Sequence, residues 1–205
     1  MARQTELYAR HRELGGRIVE FAGWLLPVQY PTGPLEEHHT VRRAAGLFDI
    51  DHMGQLMVKG PDALPYLQWV LTVDVARMAT GDARYSLVCY EDGGIVDDVF
   101  VYRLPDRYFI AVNAANTDKD ALWFRYQLGS FQASVENISD DTYMLALQGP
   151  QAQDILQQLT PAQLDKLSHH RATENKVAGV PALIARTGYT GEDGFEVYAE
   201  ASKGI

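Results

Sequence analysis

The fold is decided by a short stretch that occurs twice in the chain, as Val58-Lys59-Gly60-Pro61-Asp62-Ala63 and again as Leu147-Gln148-Gly149-Pro150-Gln151-Ala152. In both copies a strand-like run precedes Gly-Pro and a helical pattern follows, and proline in the first turn of a helix loses no hydrogen bond. Strand-like segments with a glycine-rich turn come next, at residues 91–94 in the first copy and 188–194 in the second. The pattern predicts two related strand–helix–strand–strand units, residues 47–105 and 140–200.

The segments around these copies indicate the fold class. Most predicted strands follow one another without a helical crossover, which favours antiparallel or mixed sheets with flanking helices in an α+β architecture. The patterns also predict helices at residues 5–14 and 35–45, a strand at 18–21, and a turn or bulge at 23–27.

Composition excludes several classes of function. The chain of 205 residues has a net charge of −9, which argues against nucleic-acid binding through a general basic surface. Cys89 is the only cysteine, so an internal disulfide and a cysteine-based metal site are both excluded. No run approaches the roughly 18 apolar residues of a membrane span; the N-terminus lacks the apolar region of a secretory signal, and its acidic residues argue against a transit peptide. We therefore expect a cytoplasmic protein with neither nucleic-acid nor membrane partners.

Residues 93–102, Gly-Gly-Ile-Val-Asp-Asp-Val-Phe-Val-Tyr, form the first stretch that could carry chemistry. A turn leads into a strand in which Asp97 and Asp98 lie on opposite apolar faces, because side chains alternate along a strand. One interpretation is a wet strand entry, in which the strand begins near the surface and water hydrates both carboxylates. The other is that one carboxylate projects into a ligand pocket, where desolvation makes it a useful acid, base or cation anchor.

Two further stretches are candidates. Asn113 ends the predicted strand 108–113, where it could cap the following helix or offer a donor and an acceptor to a heterocycle edge. Residues 186–196 combine three glycines, Tyr189 and three acidic residues, and could be a plain hairpin turn or a loop that binds a nitrogen heterocycle. The stretch lacks the Gly-Lys-Ser/Thr ending of a phosphate loop.

Metal and serine-hydrolase chemistry have no motif to support them. The adjacent pairs His38-His39 and His169-His170 do not have metal-ligand spacing, and neither HExxH nor GxSxG is present. The sequence therefore predicts no metal site.

Several stretches together resemble one family, the aminomethyltransferase or T-protein of the glycine cleavage system. They are Phe21-Ala22-Gly23-Trp24 with residues 27–30, Gly46-Leu47-Phe48-Asp49 with residues 52–54, Lys59-Gly60-Pro61, residues 93–98, Gln148-Gly149-Pro150, and residues 186–196. The resemblance covers residues 2 to about 202. It implies the folate-binding aminomethyltransferase fold and a tetrahydrofolate-dependent transferase. Such an enzyme takes the aminomethyl group from the lipoyl arm of H-protein, releases ammonia and forms 5,10-methylenetetrahydrofolate in glycine catabolism and one-carbon metabolism.

The resemblance also implies roles for individual residues. Asp98 matches the key carboxylate, which hydrogen-bonds the reduced pterin and helps N5 act as nucleophile on the iminium carbon. Glu196 matches a carboxylate on the amino-pyrimidine edge, and the other matches to folate-binding positions are Met53, Tyr85, Asn113 and Tyr189. The resemblance, and not the strand alternation, selects Asp98 over Asp97.

The resemblance implies two subdomains, with residues 1–46 and 140–205 in the first and residues 47–139 in a second, ferredoxin-like one. Asp51 departs from the family, which usually has a small hydroxyl residue there. The chain also ends before the family's C-terminal β-barrel, so we expect a fragment of doubtful catalytic competence. Two alternatives stay open: a non-catalytic folate-binding module, and another folate-dependent one-carbon enzyme such as a demethylase or the folate domain of a sarcosine-type dehydrogenase.

Overall fold

The structure, a computed structural model, describes residues 2–203. The chain forms two compact units, one containing the residues up to His52 and from Asp141 onward, the other Met53–Asp140. The second unit is therefore an insertion in the sequence of the first. Residues 1, 204 and 205, which belong to the predicted first subdomain, lie outside the described residues.

The first unit begins with a small mixed sheet in the order β1-β3-β2 and two helices. The elements are β1 (Arg3–Gln4), α1 (Tyr8–Glu13), β2 (Ile18–Phe21), β3 (Trp24–Pro27) and α2 (Pro34–Arg43). The predicted turn or bulge at residues 23–27 is wrong. Ala22 and Gly23, both with positive φ, complete a two-residue hairpin turn by themselves, so the chain already pairs with β2 at Trp24.

The larger sheet of the first unit has five antiparallel strands in the order β11-β12-β13-β10-β4. They are β4 (Gly46–Asp49), β10 (Thr142–Gln148), β11 (Ala172–Val177), β12 (Val180–Ala185) and β13 (Gly194–Glu200), with α5 (Ala152–Gln157) packed against them. Leu47 pairs with Leu147, so β4 belongs to this sheet. The unit boundary consequently falls after His52, and not after Gly46 as predicted.

The second unit has one antiparallel sheet in the order β6-β7-β8-β5-β9. Its elements are β5 (Gly54–Lys59), α3 (Ala63–Val70), β6 (Ala83–Cys89), β7 (Ile95–Arg103), β8 (Tyr108–Val112), α4 (Thr117–Tyr126) and β9 (Ser134–Asn137). Tyr66 and Leu67 from α3 and Phe124 from α4 pack with Leu56 and Ile110 of the sheet in a fully buried core. The α+β prediction is confirmed, and residues 2–203 contain no closed barrel.

The internal repeat is visible in the backbone of the two units. Gly60 and Gly149 share an unusual φ, +121° and +126°, and an added Cβ would lie 2.5 Å from a backbone oxygen in each case, that of Gln132 or of Ala44. The same two oxygens accept the backbone N–H two residues after each glycine. Only glycine allows this close approach of two chain segments.

The repeat is longer than the sequence predicted. The series β5-α3-β6-β7-β8 and β10-α5-β11-β12-β13 have the same strand order in their sheets, so each copy has three strands after its helix and not two. The loop at residues 188–194 therefore corresponds to the β7–β8 connection, and the equivalence with the turn at 91–94 is wrong. Glycine-rich composition indicates a turn but does not identify which turn.

Candidate functional site

The two adjacent aspartates of β7 lie on opposite faces of the second unit's sheet. In a regular strand Val96 and Val99 would face opposite sides of the sheet. The pairing of β6 with β7 is irregular between Val88 and Cys89, so both valines lie in the helix-covered core. Asp97 is only 7% exposed, whereas Asp98 is half-buried. The interpretation of this stretch as a wet strand entry is therefore wrong for Asp97.

Asn113 connects the two carboxylates. Its Nδ2 donates to Oδ1 of Asp97 at 3.0 Å, and to Oδ1 and the carbonyl oxygen of Asp98 at 3.2 Å each. The backbone N–H of Asp98 donates to the same Oδ1 of Asp97 at 2.9 Å. The Asn113 side chain makes no capping hydrogen bond, which contradicts the interpretation of this side chain as a helix cap.

Tyr85 and Met53 complete the group of predicted residues in the second unit. Tyr85 is half-exposed on β6 and hydrogen-bonds Asp98; partial burial, with the Asp98 carboxylate next, raises the pKa of the phenol. Met53 precedes Gly54, whose partner across the β5–β8 ladder is Val112, so Met53 comes to the same end of the sheet as Asn113. Three of the predicted site residues, Tyr85, Asp98 and Asn113, are thus linked by hydrogen bonds, and Met53 lies at the neighbouring strand end next to Asn113.

Asp120, on α4, is the residue that sequence reasoning missed. It is 1% exposed, and burial, followed by its hydrogen bond to Asp97 and the charge of Asp97, raises the pKa of Asp120 to about 8. Burial also raises the pKa of Asp97, but hydrogen bonds from Asp120, Asn113 and the Asp98 N–H outweigh it and the net shift is downward. At neutral pH the Asp120 carboxyl is therefore neutral and Asp97 is ionised.

A sequence signal for Asp120 was available. Helix α4 buries Ala121 and Phe124 against the sheet, and Asp120 falls on that apolar face with them. A carboxylate at a buried helical position requires a partner, because an isolated buried charge is costly. The helical periodicity would have identified the residue, although not its partner.

Glu196 and Tyr189 belong to the first unit. Glu196 lies on β13 and is 5% exposed; its Oε2 accepts the hydroxyl protons of Thr187, at 2.5 Å, and of Tyr198, at 3.0 Å. Tyr189 is 77% exposed in the β12–β13 loop. Hydrogen bonds thus fix the Glu196 carboxylate, whereas the Tyr189 ring is largely exposed to solvent.

Gln148, which sequence reasoning also missed, fixes the loop that carries Tyr189. Its Nε2 donates to the carbonyl of Thr187 at 3.0 Å, and its Oε1 accepts the Thr190 hydroxyl at 2.9 Å. A Cβ at Gly188 would overlap the Gln148 amide, so the loop requires glycine there. Gln148 stands directly before the repeated Gly-Pro, at the end of a buried strand, which was the available signal.

The other two acidic residues of the 186–196 stretch have ion-pair partners. Glu192 pairs with Arg42 at 2.7 Å, and Asp193 forms a short two-point pair with Arg186 that lowers the pKa of Asp193. An arginine fork matches a carboxylate well, so this pair stabilises the loop. Glu196 differs from Glu192 and Asp193 in accepting hydrogen bonds from the hydroxyl groups of Thr187 and Tyr198.

The described chain gives no indication of a metal centre or a membrane span. Within residues 2–203, no three His, Cys, Asp or Glu side chains are grouped as metal ligands. None of the helices between those limits is long and apolar enough to cross a membrane. The candidate side chains are carboxylates, an amide and a phenol, and such groups can accept hydrogen bonds from N–H donors.

Fold and site together define an α+β protein with a duplicated antiparallel sheet and a hydrogen-bonded group of carboxylate, amide and phenol side chains in its second unit. The family model described as the GCVT N-terminal domain matches residues 7–205. The chain belongs to this family.

Proteins with established names support the same relationship. The chain is 52% identical over 202 residues to the aminomethyltransferase of Moorella thermoacetica, covering 98% of this chain and 55% of that protein. It is 49% identical over 197 residues to the aminomethyltransferase of Desulfitobacterium hafniense strain Y51, covering 96% and 54%. The chain thus spans about half the length of the curated relatives that it matches.

Solved structures agree with the fold. The crystal structure of glycine cleavage system aminomethyltransferase T from Bartonella henselae matches with a TM-score of 0.91 and 36% identity, over 98% of this chain and 55% of that one. A heterotetrameric sarcosine oxidase from Corynebacterium sp. U-96 matches with a TM-score of 0.59 and 20% identity, over 82% and 83%. The second match concerns the fold alone.

Proposed function

We propose that this chain is the N-terminal portion of a cytoplasmic, tetrahydrofolate-dependent aminomethyltransferase of the glycine cleavage system, with lipoylated H-protein as its protein partner. The observation that carries the proposal is the hydrogen-bonded group of Tyr85, Asp98 and Asn113 on three adjacent elements of the second unit. The family match and the names of the relatives support the transferase class.

The residues fit a reduced pterin. Its amino-pyrimidine edge and ring nitrogens are rich in N–H donors, and carboxylates form charge-assisted hydrogen bonds with such groups. Asp98 offers a half-buried carboxylate that Asn113 and Tyr85 hold by hydrogen bonds, and Glu196 offers a second carboxylate in the first unit. In this proposal Asp98 binds near N5 of the folate, Glu196 binds the amino-pyrimidine edge, and Met53 and Tyr189 contribute contacts.

Reduced folate, as co-substrate, supplies the nucleophilic nitrogens that accept the one-carbon unit. The bonds balance when the carbon leaves the lipoyl sulfur and the amine and joins two folate nitrogens. The two N–H protons released end on ammonia and the thiol. Asp98 orients the folate amine and stabilises the cationic character that develops at the reacting centre, where a fixed carboxylate in a partly desolvated site is effective.

Equilibrium binding of 5-formyltetrahydrofolate to the 205-residue chain, measured by calorimetry, tests the proposal. Asp98→Asn should weaken binding by about tenfold or more, because a charge-assisted hydrogen bond is replaced by a neutral one. Asp106→Asn is the matched control, since that carboxylate is 73% exposed and pairs with its neighbour Arg107. Equal affinity of the Asp98 variant and the parent would overturn the assignment.

Turnover separates the alternatives. In a chain extended to the length of the relatives, ammonia released from aminomethyl-lipoyl H-protein in the presence of tetrahydrofolate supports the aminomethyltransferase. Folate binding without ammonia release supports a non-catalytic folate-binding module. Turnover of another one-carbon donor, without ammonia, supports a demethylase or sarcosine-type enzyme.

A further inference from the structure

The second unit contains a buried pair of acids that the proposed reaction does not use directly. Asp97 and Asp120 lie on facing elements, β7 and α4, and their carboxyls hydrogen-bond each other. Oδ2 of Asp97 and both oxygens of Asp120 are buried and meet no hydrogen-bond donor among the described residues, so a proton shared between the two carboxyls is what satisfies them. Two ionised carboxylates this close repel strongly, so the pair is stable in this geometry only when it holds one proton.

The protonated member of the pair is Asp120. The other oxygen of Asp97, Oδ1, accepts two hydrogen bonds, from the Asn113 amide and the Asp98 N–H, and both stabilise a negative charge on Asp97. Asp120 has only the Lys119 ammonium, which lies 3.6 Å from its Oδ1 and donates to the Val96 carbonyl at 2.6 Å, and which lowers the pKa of Asp120 less than burial and Asp97 raise it. The Asp120 hydroxyl therefore donates to Asp97.

The pair is connected to the proposed folate site through Asn113. The Asn113 amide nitrogen donates to Asp97 and Asp98 together, so the orientation of the amide depends on an ionised, correctly placed Asp97. An amide held this way presents its nitrogen, and not its oxygen, to Asp98. The Asp98 backbone is anchored by the same Asp97 oxygen.

We propose that Asp97 and Asp120 are positioning residues: one shared proton holds Asn113 and Asp98 in the geometry that binds reduced folate. This inference rests on the proposed function. Loss of the proton places two charges in a buried space, drives the carboxyls apart and releases Asn113. Folate binding then falls on the alkaline side, with a midpoint set by the pair.

Other charged or titratable groups act on the pair from the elements around it. They are Lys119 from α4, Asp98 from β7 and Tyr85 from β6, while Asn116 contributes a neutral hydrogen bond to Asp97. The raised pKa of Tyr85 leaves the phenol neutral in the range of interest. Ionisation of Asp120, with a pKa of about 8, is thus the event that the experiment follows.

The first readout needs no folate. In chain labelled with ¹³C and ¹⁵N, the Asp120 carboxyl resonance, assigned by its loss in Asp120→Asn, should titrate with a midpoint of about 8. The side-chain amide resonances of Asn113 should move with the same midpoint in the parent and stay fixed in the variant. Titration of every aspartate below pH 6, or immobile Asn113 resonances in the parent, would overturn the inference whether or not folate binds.

The second readout is affinity for 5-formyltetrahydrofolate at pH 7 and pH 9. If only the protonated pair is competent, the parent should lose roughly tenfold in affinity between these values, because the competent fraction falls by that factor. Asp120→Asn keeps an N–H donor towards Asp97 and cannot ionise, so it should bind equally at both pH values. Asp118→Asn, an exposed change on the same helix, should follow the parent.

The outcomes distinguish the two levels of the argument. An alkaline loss that persists in Asp120→Asn would overturn the positioning role while leaving the folate proposal intact. Absence of folate binding at every pH would contradict the proposed function for this chain, and the resonances of Asp120 and Asn113 would still decide whether the shared proton positions the amide.

Discussion

Gly149→Ala tests the close chain approach on which the repeat depends. A Cβ at this position would lie 2.5 Å from the Ala44 oxygen and 2.6 Å from the Val41 oxygen, both of them backbone atoms that cannot rotate away. The φ of +126° adds strain for any residue with a Cβ. The substitution should therefore displace the segment that leads into β4 from the start of α5.

The magnitude follows from three terms. A non-glycine residue in this backbone region costs about 1–2 kcal/mol. Forcing an extra carbon into a packed space costs about 1–3 kcal/mol. Weakening the hydrogen bond from the Gln151 N–H to the Ala44 oxygen, 2.9 Å long, removes about 1 kcal/mol. We expect the free energy of unfolding of the first unit to fall by about 3–6 kcal/mol.

Urea unfolding followed by tryptophan fluorescence measures this loss. The chain has three tryptophans, and only Trp24 lies in the first unit, so a background with Trp69→Phe and Trp123→Phe reports on that unit alone. Gly179→Ala is the matched control: φ is +84°, but nothing lies within 4 Å of the added Cβ, so about 1 kcal/mol is expected. Equal losses in the two variants would refute the reasoning from close approach.

Three further predictions concern carboxylates. Burial first, then the charges of neighbouring acids, raises the pKa of Asp51 to about 6, so the folded state holds a proton that the unfolded state has released between pH 3.8 and 6. Stability then falls as pH rises through that window, and Asp51→Asn should flatten the pH dependence of the urea midpoint reported by Trp24. The pKa of Asp120 is also raised, to about 8, so the stability of the second unit should likewise fall as pH rises from 3.8 to about 8. Asp120→Asn should therefore be more stable than the parent at pH 8, as measured by hydrogen exchange of the β7 amides. Glu196→Gln should weaken 5-formyltetrahydrofolate binding about tenfold through loss of charge-assisted hydrogen bonds. The exposed control Glu200→Gln should leave the affinity unchanged. Unchanged affinity of both variants in calorimetry would contradict the role of Glu196.

The sequence predicted the parts of the fold that depend on local chemistry. The Gly-Pro repeat predicted the start of both copies, because the backbone at Gly60 and Gly149 requires glycine and the following helix tolerates proline. The repeat predicted two strands after each helix where the structure has three, because the composition of β8 does not show whether this strand belongs to the repeat or follows it. Turn composition also failed to show that the β12–β13 loop corresponds to the β7–β8 connection.

The candidate site was predictable only in part for a similar reason. Alternation along β7 separated Asp97 from Asp98, but which face the helices cover is a matter of tertiary packing. Asp120 and Gln148 find their partners across long sequence separations, and pairing of that kind leaves no local pattern. The resemblance selected residues for a proposed role in ligand binding, whereas Asp120 and Gln148 contact other residues of the protein.

The inserted second unit has a consequence for the order of folding. Pairing of Asp49 with Leu145 closes a loop of roughly 95 residues if the intervening chain is unfolded, and a loop of that length has a large closure entropy. Once β5 and β9 are paired, Leu56 and Asn137 are adjacent, and the same closure spans only roughly 15 flexible residues. The difference is about 1.6 kcal/mol in favour of closure after the insert has formed. The Met53–Asp140 segment should therefore fold first and bring β4 and β10 of the first unit's sheet close enough to pair.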